Sequence, residues 1–489
     1  MSPWILLLPI LLPIIGGGLM YFVPIKNRKI RKIYVMTIVL INSALVFGML
    51  IHGVEGTCHA LHMAHNLTIH FHIDGLSKVY AGILAGLWPL ATLYAFEYMK
   101  HEGRNNLFFS FYTMTFGVCV GIAFAANLMT LYMFYELLTL STLTLVIHKL
   151  DQPSILAARK YMVYSLAGAA FAFVGFMFIL HYGFTTDFLY GGVLDPAMVG
   201  DKKDLLLLIF VLAVLGFGVK AAIFPFHGWL PTASVAPTPV TALLHAVAVV
   251  KAGAFAIIRI MYYSFGTDFL RGTWAQTVIM LFAIVTIVFA SSKAVKEIHL
   301  KRRLAYSTIS NLSYIVFGAA IMTPYGLQGS MAHMIMHAIM KITLFFCAGA
   351  IMHQTEKEYI YELKGIGRNM PFVMGCFTLA SAAVMGVPLL CGFISKWSIL
   401  TAAVKAEQMT ALLGMAAILF SAFLTAVYLF SIVVKAFFRT PKEKMPVVKQ
   451  DPNWYMSLPL CLLCLVILGL GVYSGPLMGL LEQIAFGRI

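Results

Sequence analysis

Long apolar runs constrain the fold of this chain more than any other feature of its sequence. Of its 489 residues, 61% are hydrophobic and 11% are charged, whereas a soluble domain carries about 25% charged residues. Apolar runs of about 20 residues, each long enough to cross a bilayer as a helix, recur about fourteen times. Their approximate limits are 3–23, 34–52, 75–96, 108–126, 128–147, 162–182, 205–224, 240–263, 275–292, 304–322, 330–352, 371–395, 409–434 and 455–475. The sequence therefore predicts an all-α polytopic membrane protein.

Basic residues concentrate in every second loop between these runs. Six such loops contain most of the 34 lysine and arginine residues that give the chain its net charge of +15. Because basic loops remain on the cytoplasmic side, both termini are predicted to face away from the cytoplasm, provided that residues 204–240 cross once. The positive charge therefore reflects membrane topology, and nucleic acid is not expected as a partner. The six loops are 26–32, 100–104, 149–160, 293–303, 357–368 and 435–449.

A small set of ionisable residues remains within the apolar runs. A charge at bilayer depth costs roughly 2.5–3.5 kcal/mol on insertion scales, so such residues usually face the bundle interior and serve a function. The alternative is that a long side chain reaches the membrane interface, which suits Lys78 and Arg259 but not Lys251 in the middle of its run. The residues that we expect to lie buried are Glu136, Lys220, His245, Lys251, His333, His337, Lys341 and Lys396.

Three of these residues share one face of a single predicted helix. His333, His337 and Lys341 are separated by four and four positions, so their side chains follow one another along the helix. Two imidazoles and an amine in this arrangement can pass a proton through ordered water. The alternative for each histidine is a hydrogen bond to a neighbouring helix. Haem ligation fits poorly, because two axial histidines usually come from opposing helices.

Prolines and glycines interrupt two of the apolar runs. Lys220 is followed by AAIFPFHGWLPTASVAPTPV, with Pro225 and Pro231, and Lys396 follows MGVPLLCGFIS, with Pro388. Proline prevents regular helix, and irregular backbone at membrane depth is tolerated only within protein or beside a water-filled cavity.

Two interrupted runs at corresponding places in two halves indicate an inverted-repeat transporter. We therefore predict two inverted five-helix repeats, made of runs 4–8 and 9–13. The predicted division of the chain is 1–107 (the first three runs), 108–263 and 264–437 (the two repeats) and 438–489 (the last run).

The loop from His52 to Asp74 is rich in histidine and contains Cys58. Imidazole is a ligand of Zn²⁺, Cu²⁺ and Ni²⁺, so a metal site is one interpretation, although the spacing matches no standard zinc pattern. We favour a hydrophilic cap in which LTIHFHI forms one strand of an outer hairpin. Cys461 and Cys464 form a CxxC inside an apolar run, which is more typical of core packing than of metal or redox chemistry.

Four motifs together resemble a known family. They are YMFYELLTL around Glu136, VKAAIFPFHGWLPTASVAPTPVTALLHAVAVVKAG over 219–253, HMIMHAIMK over 333–341 and GFISKW over 392–397. In this order they resemble the antiporter-like, proton-translocating membrane subunits of respiratory complex I, which are shared with Mrp-type cation/proton antiporters and membrane-bound hydrogenases.

The resemblance implies a place for each buried charge. Glu136 takes the place of the family's glutamate in the fifth helix, and Lys220 that of the lysine at the break in the seventh. Lys251 matches the central lysine of the eighth helix. Lys341 matches the lysine of the eleventh helix, and Lys396 the charged group of the twelfth.

The resemblance also implies a function. We expect a proton-translocating subunit of a complex I-like respiratory complex of the NADH, ferredoxin or hydrogenase type, in the inner membrane of a bacterium or archaeon. Other membrane subunits would be its partners and would hold the redox chemistry, because this sequence has no dinucleotide fingerprint, P-loop or iron–sulfur cysteine set. We predict no cofactor and no metal for this chain.

The buried residues suggest a route for the proton. If Glu136 moved away from Lys220, the lysine would be an unpaired buried cation and would tend to release its proton to Lys251. The proton would then pass His245 to reach Lys341, His337 and His333, and would leave near Lys396.

Three alternatives belong to other functional classes. The first is a Na⁺/H⁺ antiporter subunit of an Mrp-type complex, which Na⁺-dependent transport would reveal. The second is a quinone-binding redox enzyme, which would need a cofactor visible by optical or EPR spectroscopy. The third is a passive structural bundle, against which the deep lysines argue.

Overall fold

Long apolar helices make up most of the chain in the computed structural model, which describes residues 2–54, 56–64, 67–438 and 450–489. Eleven helices in these ranges are long and apolar enough to cross a membrane. The predicted all-α polytopic membrane fold is therefore confirmed, whereas the number of fourteen spans and the repeat relation stay predictions. His65 and most of the basic loop 435–449 lie outside the described residues.

The first half of the chain contains eight long helices and one hairpin. Its elements are α1 (Leu8–Phe22), α2 (Arg28–His52), β1 (Cys58–Ala64), β2 (Leu67–Phe71), α3 (Gly75–Tyr98), α4 (Asn105–Phe124), α5 (Leu128–Val146), α6 (Gln152–Tyr182), α7 (Lys203–Gly218) and α8 (Thr238–Phe265). Short helical turns occur at Pro3–Leu7, Pro196–Val199, Gly200–Lys202, Phe226–Gly228, Trp229–Thr232 and Ala233–Val235.

The second half continues with helices alone in its described part. Its elements are α9 (Trp274–Lys296), α10 (Leu300–Ala320), α11 (Pro324–Thr355), α12 (Pro371–Met385), α13 (Cys391–Lys405), α14 (Met409–Phe438), α15 (Trp454–Val472) and α16 (Gly475–Ala485). Short helical turns occur at Thr267–Leu270, Ile360–Leu363 and Ile366–Asn369.

Short polar side chains set the starts of several helices. The side chain of Asp74 accepts a hydrogen bond from the backbone N–H of Ser77 at the start of α3, and Asn127 accepts one from Thr130 at the start of α5. These bonds satisfy backbone donors that have no partner inside the helix.

Helices α8 and α11 occupy the centre of the bundle. The apolar segment of α8 is 100% buried and that of α11 is 94% buried, whereas α2 and α15 are 39% and 33% buried. A lipid-facing helix keeps one side open to hydrocarbon, so such complete enclosure means that protein surrounds both central helices. His245, Lys251, His333, His337 and Lys341 lie on these two helices.

Two segments interrupt the helical bundle at the positions where the sequence places prolines. Irregular backbone and short turns follow the end of α7 at Gly218, and this segment contains Pro225 and Pro231. Pro388 lies between α12 and α13, where Gly386 has a φ of +96° and Leu389 a φ of +69°. A third irregularity lies inside α8, where Leu243–Val247 forms a π-helical turn.

The predicted hairpin is present at one end of the bundle, which we call the hairpin end. Strand β1 pairs antiparallel with β2, and the register aligns Cys58 with Phe71 and His62 with Thr68. Strand β2 is the LTIHF part of the LTIHFHI segment, so the expectation of a hairpin strand there is confirmed.

Backbone hydrogen bonds extend the hairpin into a belt across this end. Ala126 donates to the carbonyl oxygen of His70 at 3.2 Å, and Phe188 donates to that of Ala126 at 2.9 Å. Val193 then donates to the carbonyl oxygen of Ser264 at 2.9 Å. The belt therefore ties β2 to the beginning of α5 and to the end of α8.

Candidate functional site

Glu136 and Lys220 form an ion pair at the break that follows α7. The Lys220 Nζ atom lies 3.5 Å from the Glu136 Oε1 atom. Lys220 is almost fully buried, donates to the carbonyl oxygen of Tyr135, and lies 3.4 Å from the centroid of the Tyr135 ring. The carboxylate and the aromatic face both stabilise the ammonium form. The structure thus brings together the two residues that the sequence suggested as partners.

The Glu136 carboxylate reaches the side of the bundle. Its side chain is 25% exposed, and Leu137 and Leu140 beside it on α5 are exposed as well. Within the described residues, Oε1 has no hydrogen-bond donor. This acid is therefore the one member of the site that can meet a group outside the chain.

Close packing against α8 positions the broken segment that carries Lys220. A Cβ atom at Gly253 would lie 2.5 Å from the backbone nitrogen of Ala221, which is too close for any residue but glycine. The Trp229 indole donates to the carbonyl oxygen of Val219 at 2.8 Å and so satisfies one backbone acceptor that the end of α7 leaves free. Lys220 is thereby fixed against the helix that carries Lys251.

Lys251 and His337 meet at the centre of the bundle. The Lys251 Nζ and His337 Nδ1 atoms are 2.5 Å apart, and both residues are fully buried. One proton must lie between the two nitrogens, since an amine and an imidazole can share a hydrogen bond only as donor and acceptor. The contact joins α8 to α11.

His333 continues the line from His337 toward α13. The two imidazole centroids are 5.7 Å apart, and the His333 Nδ1 atom lies 2.9 Å from the Ser395 Oγ atom. Lys396 is the next residue. Lys251, His337, His333 and Ser395 therefore form a continuous polar line, which we call the central line.

Lys396 stabilises the second break directly. Its Nζ atom donates to the carbonyl oxygens of Val384 at 2.6 Å and Met385 at 3.0 Å, and these are the last residues of α12. A cation at a helix C-terminus interacts favourably with the unpaired carbonyls there. Lys396 therefore holds the break together in addition to its place at the end of the central line.

Lys341 and His245 lie beside the central line. Lys341 donates to the Ser307 Oγ atom at 2.5 Å, and Tyr428 donates to the same oxygen at 2.7 Å. His245 lies in the π-helical turn of α8, and neither ring nitrogen has a partner among the described residues. The sequence placed His245 and Lys341 between Lys251 and His337, whereas Lys251 contacts His337 directly.

The buried lysines outnumber the carboxylates that they contact. Among the described residues, no ion pair involves Lys251, Lys341 or Lys396. Desolvation strongly disfavours a charge without a counter-charge. Few of these amines can therefore carry a proton at the same time, and a proton arriving at one of them disfavours protonation of the others.

Arg259 corrects an expectation from the sequence. Its place near the end of a run suggested a side chain that reaches the interface, but Arg259 is 1% exposed and forms a bidentate pair with Asp74 at the hairpin end. The Arg259 Nη2 atom lies 2.7 Å from Asp74 Oδ1 and 3.0 Å from Ser77 Oγ. The reason is that Asp74, just before α3, offers a buried counter-ion to the end of α8.

Sequence reasoning did not identify two further buried polar groups. Lys301, which the sequence assigned to a loop, is 5% exposed and donates to the carbonyl oxygen of Ala236 at 3.0 Å. His70 is buried at the hairpin end, where its Nε2 atom lies 3.0 Å from Asp187 Oδ1. Their positions depend on contacts with distant parts of the chain, and only the histidine content of the His52–Asp74 loop gave a local signal.

The hydrogen bonds around His70 define its tautomer. Asn127 accepts from the Thr130 backbone N–H, so its amide group donates, and one acceptor is the His70 Nδ1 atom at 3.1 Å. His70 therefore carries its proton on Nε2 and donates it to Asp187. This hydrogen bond lowers the pKa of Asp187 from its ordinary value.

Metal ligation has no evident place in this arrangement. Among residues 2–54, 56–64, 67–438 and 450–489, no group of three or more histidine, cysteine, aspartate or glutamate side chains is arranged to hold an ion. The chemistry available to the buried residues is proton exchange between amines, imidazoles and one carboxylate.

Known proteins share this sequence and fold. The N subunit of NADH-quinone oxidoreductase from Desulforudis audaxviator is 31% identical over 404 residues, which are 80% of this chain and 78% of that protein. The large Na⁺/H⁺ antiporter protein of Alkalihalophilus pseudofirmus is 31% identical over 433 residues, or 83% of this chain. This chain spans only 52% of the length of that antiporter protein.

Two solved structures have the same fold. A chain of the Mrp complex from Dietzia sp. superposes with a TM-score of 0.87 at 20% identity, over 99% of this chain and 97% of that one. A chain of the membrane-bound sulfane sulfur reductase, an archaeal respiratory membrane complex, gives a TM-score of 0.84 at 24% identity, over 98% and 96%.

A sequence profile completes the comparison. Residues 125–425, which include both breaks and every residue of the central line, match the profile described as NADH:quinone oxidoreductase/Mrp antiporter, transmembrane. The chain belongs to this family of antiporter-like membrane subunits.

Proposed function

We propose that this chain translocates protons as a membrane subunit of a complex I-like respiratory assembly. The observation that carries the proposal is the central line, in which Lys251, His337 and His333 make successive contacts inside a fully enclosed core. Amines and imidazoles in such contact exchange protons, and nothing in the described core resembles a site for a larger solute.

Transport begins in this proposal at the ion pair. While Glu136 lies beside Lys220, the carboxylate stabilises the protonated amine. When Glu136 moves away or becomes neutral, Lys220 is left as a buried cation, and release of its proton toward Lys251 on the adjoining helix becomes favourable.

The central line then carries the proton away from Lys251. The proton passes to His337 and His333, and Ser395 connects His333 to the segment of Lys396. His245 and Lys341 are side branches that exchange protons with this line, with water bridging the gaps that side chains do not span.

Partner subunits supply the driving force. The relatives named above are membrane subunits of NADH-quinone oxidoreductase and Na⁺/H⁺ antiporter assemblies, and one of the similar folds comes from a respiratory membrane complex. We propose that redox chemistry in neighbouring subunits moves a group toward or away from Glu136, whose carboxylate is open at the side of the bundle.

A second candidate function is Na⁺/H⁺ exchange within an Mrp-type assembly. The 31% identity to the Na⁺/H⁺ antiporter protein favours it. The central line argues for the first candidate, because it presents nitrogen donors and acceptors, whereas Na⁺ is bound by oxygen ligands.

The topology proposed from the sequence accompanies this function. Segments 108–263 and 264–437 form the two antiporter-like repeats, between 1–107 and 438–489. Each repeat contains one break, at 220–225 and at 386–390. The chain lies in a bacterial or archaeal inner membrane, with both termini and the hairpin on the outer face.

Redox-driven proton uptake into proteoliposomes tests the proposal with the intact assembly. Glu136→Gln keeps the shape of the side chain but removes its charge, so we expect pumping to fall at least tenfold while the redox partners remain assembled. Glu482→Gln is the matched control, because Glu482 is an exposed residue of α16. Pumping that survives Glu136→Gln at the control level would refute the assigned role.

A further inference from the structure

A basic recess lies at the end of the bundle opposite the hairpin, away from the proposed proton route. Its volume is about 490 Å³, and it lies where α1 ends and where α2 and α4 begin. Tyr21, Arg31, Arg104, Asn105 and Asn106 line it. No acidic side chain contributes to this lining.

Arg31 is a buried cation with unused hydrogen-bond donors. It is 9% exposed, and its Nη1 atom donates to the carbonyl oxygen of Ile25 at 3.2 Å and to Asn106 Oδ1 at 3.4 Å. In the described part of the chain, neither Nε nor Nη2 has an acceptor and no carboxylate pairs with the guanidinium. A charge held this way needs an anion to complete its environment.

The start of α4 presents further donors to the same recess. Arg104 precedes the helix in a left-handed conformation (φ +54°), is exposed, and provides no side-chain cap. The backbone N–H groups of Asn105, Asn106 and Leu107 have no acceptor among the described residues. The N-terminus of a helix attracts a phosphate group, and here a buried and an exposed guanidinium flank it.

An apolar surface adjoins the recess and identifies the class of ligand. At the end of α1, Leu19 is 56% exposed, Phe22 80% and Val23 69%. Basic recesses between helices at the cytoplasmic interface bind anionic lipid headgroups. We propose that this recess binds an anionic phospholipid, whose phosphate contacts Arg31, Arg104 and the start of α4 while its acyl chains cover the end of α1.

Lipid retention by the purified assembly tests this site. We expect native mass spectrometry to show phosphatidylglycerol bound to the wild-type protein, and at least tenfold less on an Arg31→Gln/Arg104→Gln double variant. Arg104→Gln alone, at an exposed position, should lower retention at least threefold without disturbing the fold. Phosphatidylcholine and inorganic phosphate serve as separate probes, and neither should be retained to the same extent.

A charge-matched control separates a formed site from general attraction. Arg28→Gln/Lys29→Gln removes the same charge from the same loop, but neither residue lines the recess. This control should retain phosphatidylglycerol within twofold of wild type. Equal loss in both double variants, equal retention in both, or equal binding of phosphatidylcholine would overturn the proposal, and none of these outcomes depends on proton transport.

Discussion

Lys251 shows most clearly what the buried residues must do. Its Nζ atom is 2.5 Å from His337 Nδ1 and has no carboxylate near it in the described structure. A fixed positive charge would be disfavoured there, whereas an amine that gains and loses a proton suits the site.

Lys251→Arg therefore separates a proton carrier from a fixed charge. Arginine keeps the positive charge but does not release its proton in proteins, so we expect redox-driven pumping to fall at least tenfold, as in Lys251→Ala. Lys405→Arg, at an exposed position at the end of α13, should pump normally. A Lys251→Arg assembly that pumps at the wild-type rate would show that the site supplies only a positive field.

The sequence predicted the identity of the buried residues better than their partners. Hydropathy places Glu136 and Lys220 inside the membrane, and helix periodicity aligns His333, His337 and Lys341. Periodicity defines the face of one helix but not the helix that it meets, so the contact between Lys251 and His337, 86 positions apart, could not be foreseen. The same holds for Arg259 and Asp74, 185 positions apart.

Among the structural elements, the broken segment after α7 depends on one small residue of α8. A methyl group at Gly253 would lie 2.5 Å from the Ala221 nitrogen, so α8 and the segment would have to separate.

Gly253→Ala should therefore destabilise the chain and displace Lys220. Overpacking of this kind typically costs about 1–3 kcal/mol, so we expect a lower thermal midpoint together with reduced pumping. Gly375→Ala is the control, because Gly375 lies in α12 with nothing within 4 Å of the added methyl group. If both variants melted and pumped alike, close approach at Gly253 would be unimportant.

The hairpin is anchored through His70 and not through its exposed histidines. His70 bridges Asn127 and Asp187, whereas His62 is exposed on β1. His70→Gln should increase hydrogen exchange in β2 and at the start of α5, and His62→Gln should leave exchange unchanged.

The pH dependence of this effect follows from Asp187. Because the hydrogen bond from His70 lowers the pKa of Asp187, the charged carboxylate stabilises the hairpin above the ordinary aspartate pKa of about 3.9. That contribution is lost as the pH falls through the lowered value. The difference in exchange between wild type and His70→Gln should be present at pH 7 and should disappear in strong acid. A difference that persists there would assign the anchoring to other contacts.

At the scale of the whole molecule, the choice of transported ion follows from the lining of the core. The central line offers nitrogen atoms and one hydroxyl group, and Na⁺ binds such groups poorly. Redox-driven pumping by the reconstituted assembly should therefore stay within twofold when Na⁺ is replaced by choline. Pumping that stops without Na⁺ and returns when it is added would favour the Mrp-type alternative.

The belt at the hairpin end has a mechanical consequence. It holds the beginning of α5 and the end of α8 to the same backbone network, so these helices can swing apart only about that end, as a door does about its hinge. Glu136 is nine residues beyond Asn127, which places it about 13 Å along the lever at 1.5 Å per residue. A tilt of about five degrees then moves the carboxylate by about 1 Å. A pair held at 3.5 Å needs no larger stroke to open or close, so a small push from a neighbouring protein of the assembly is enough to operate it.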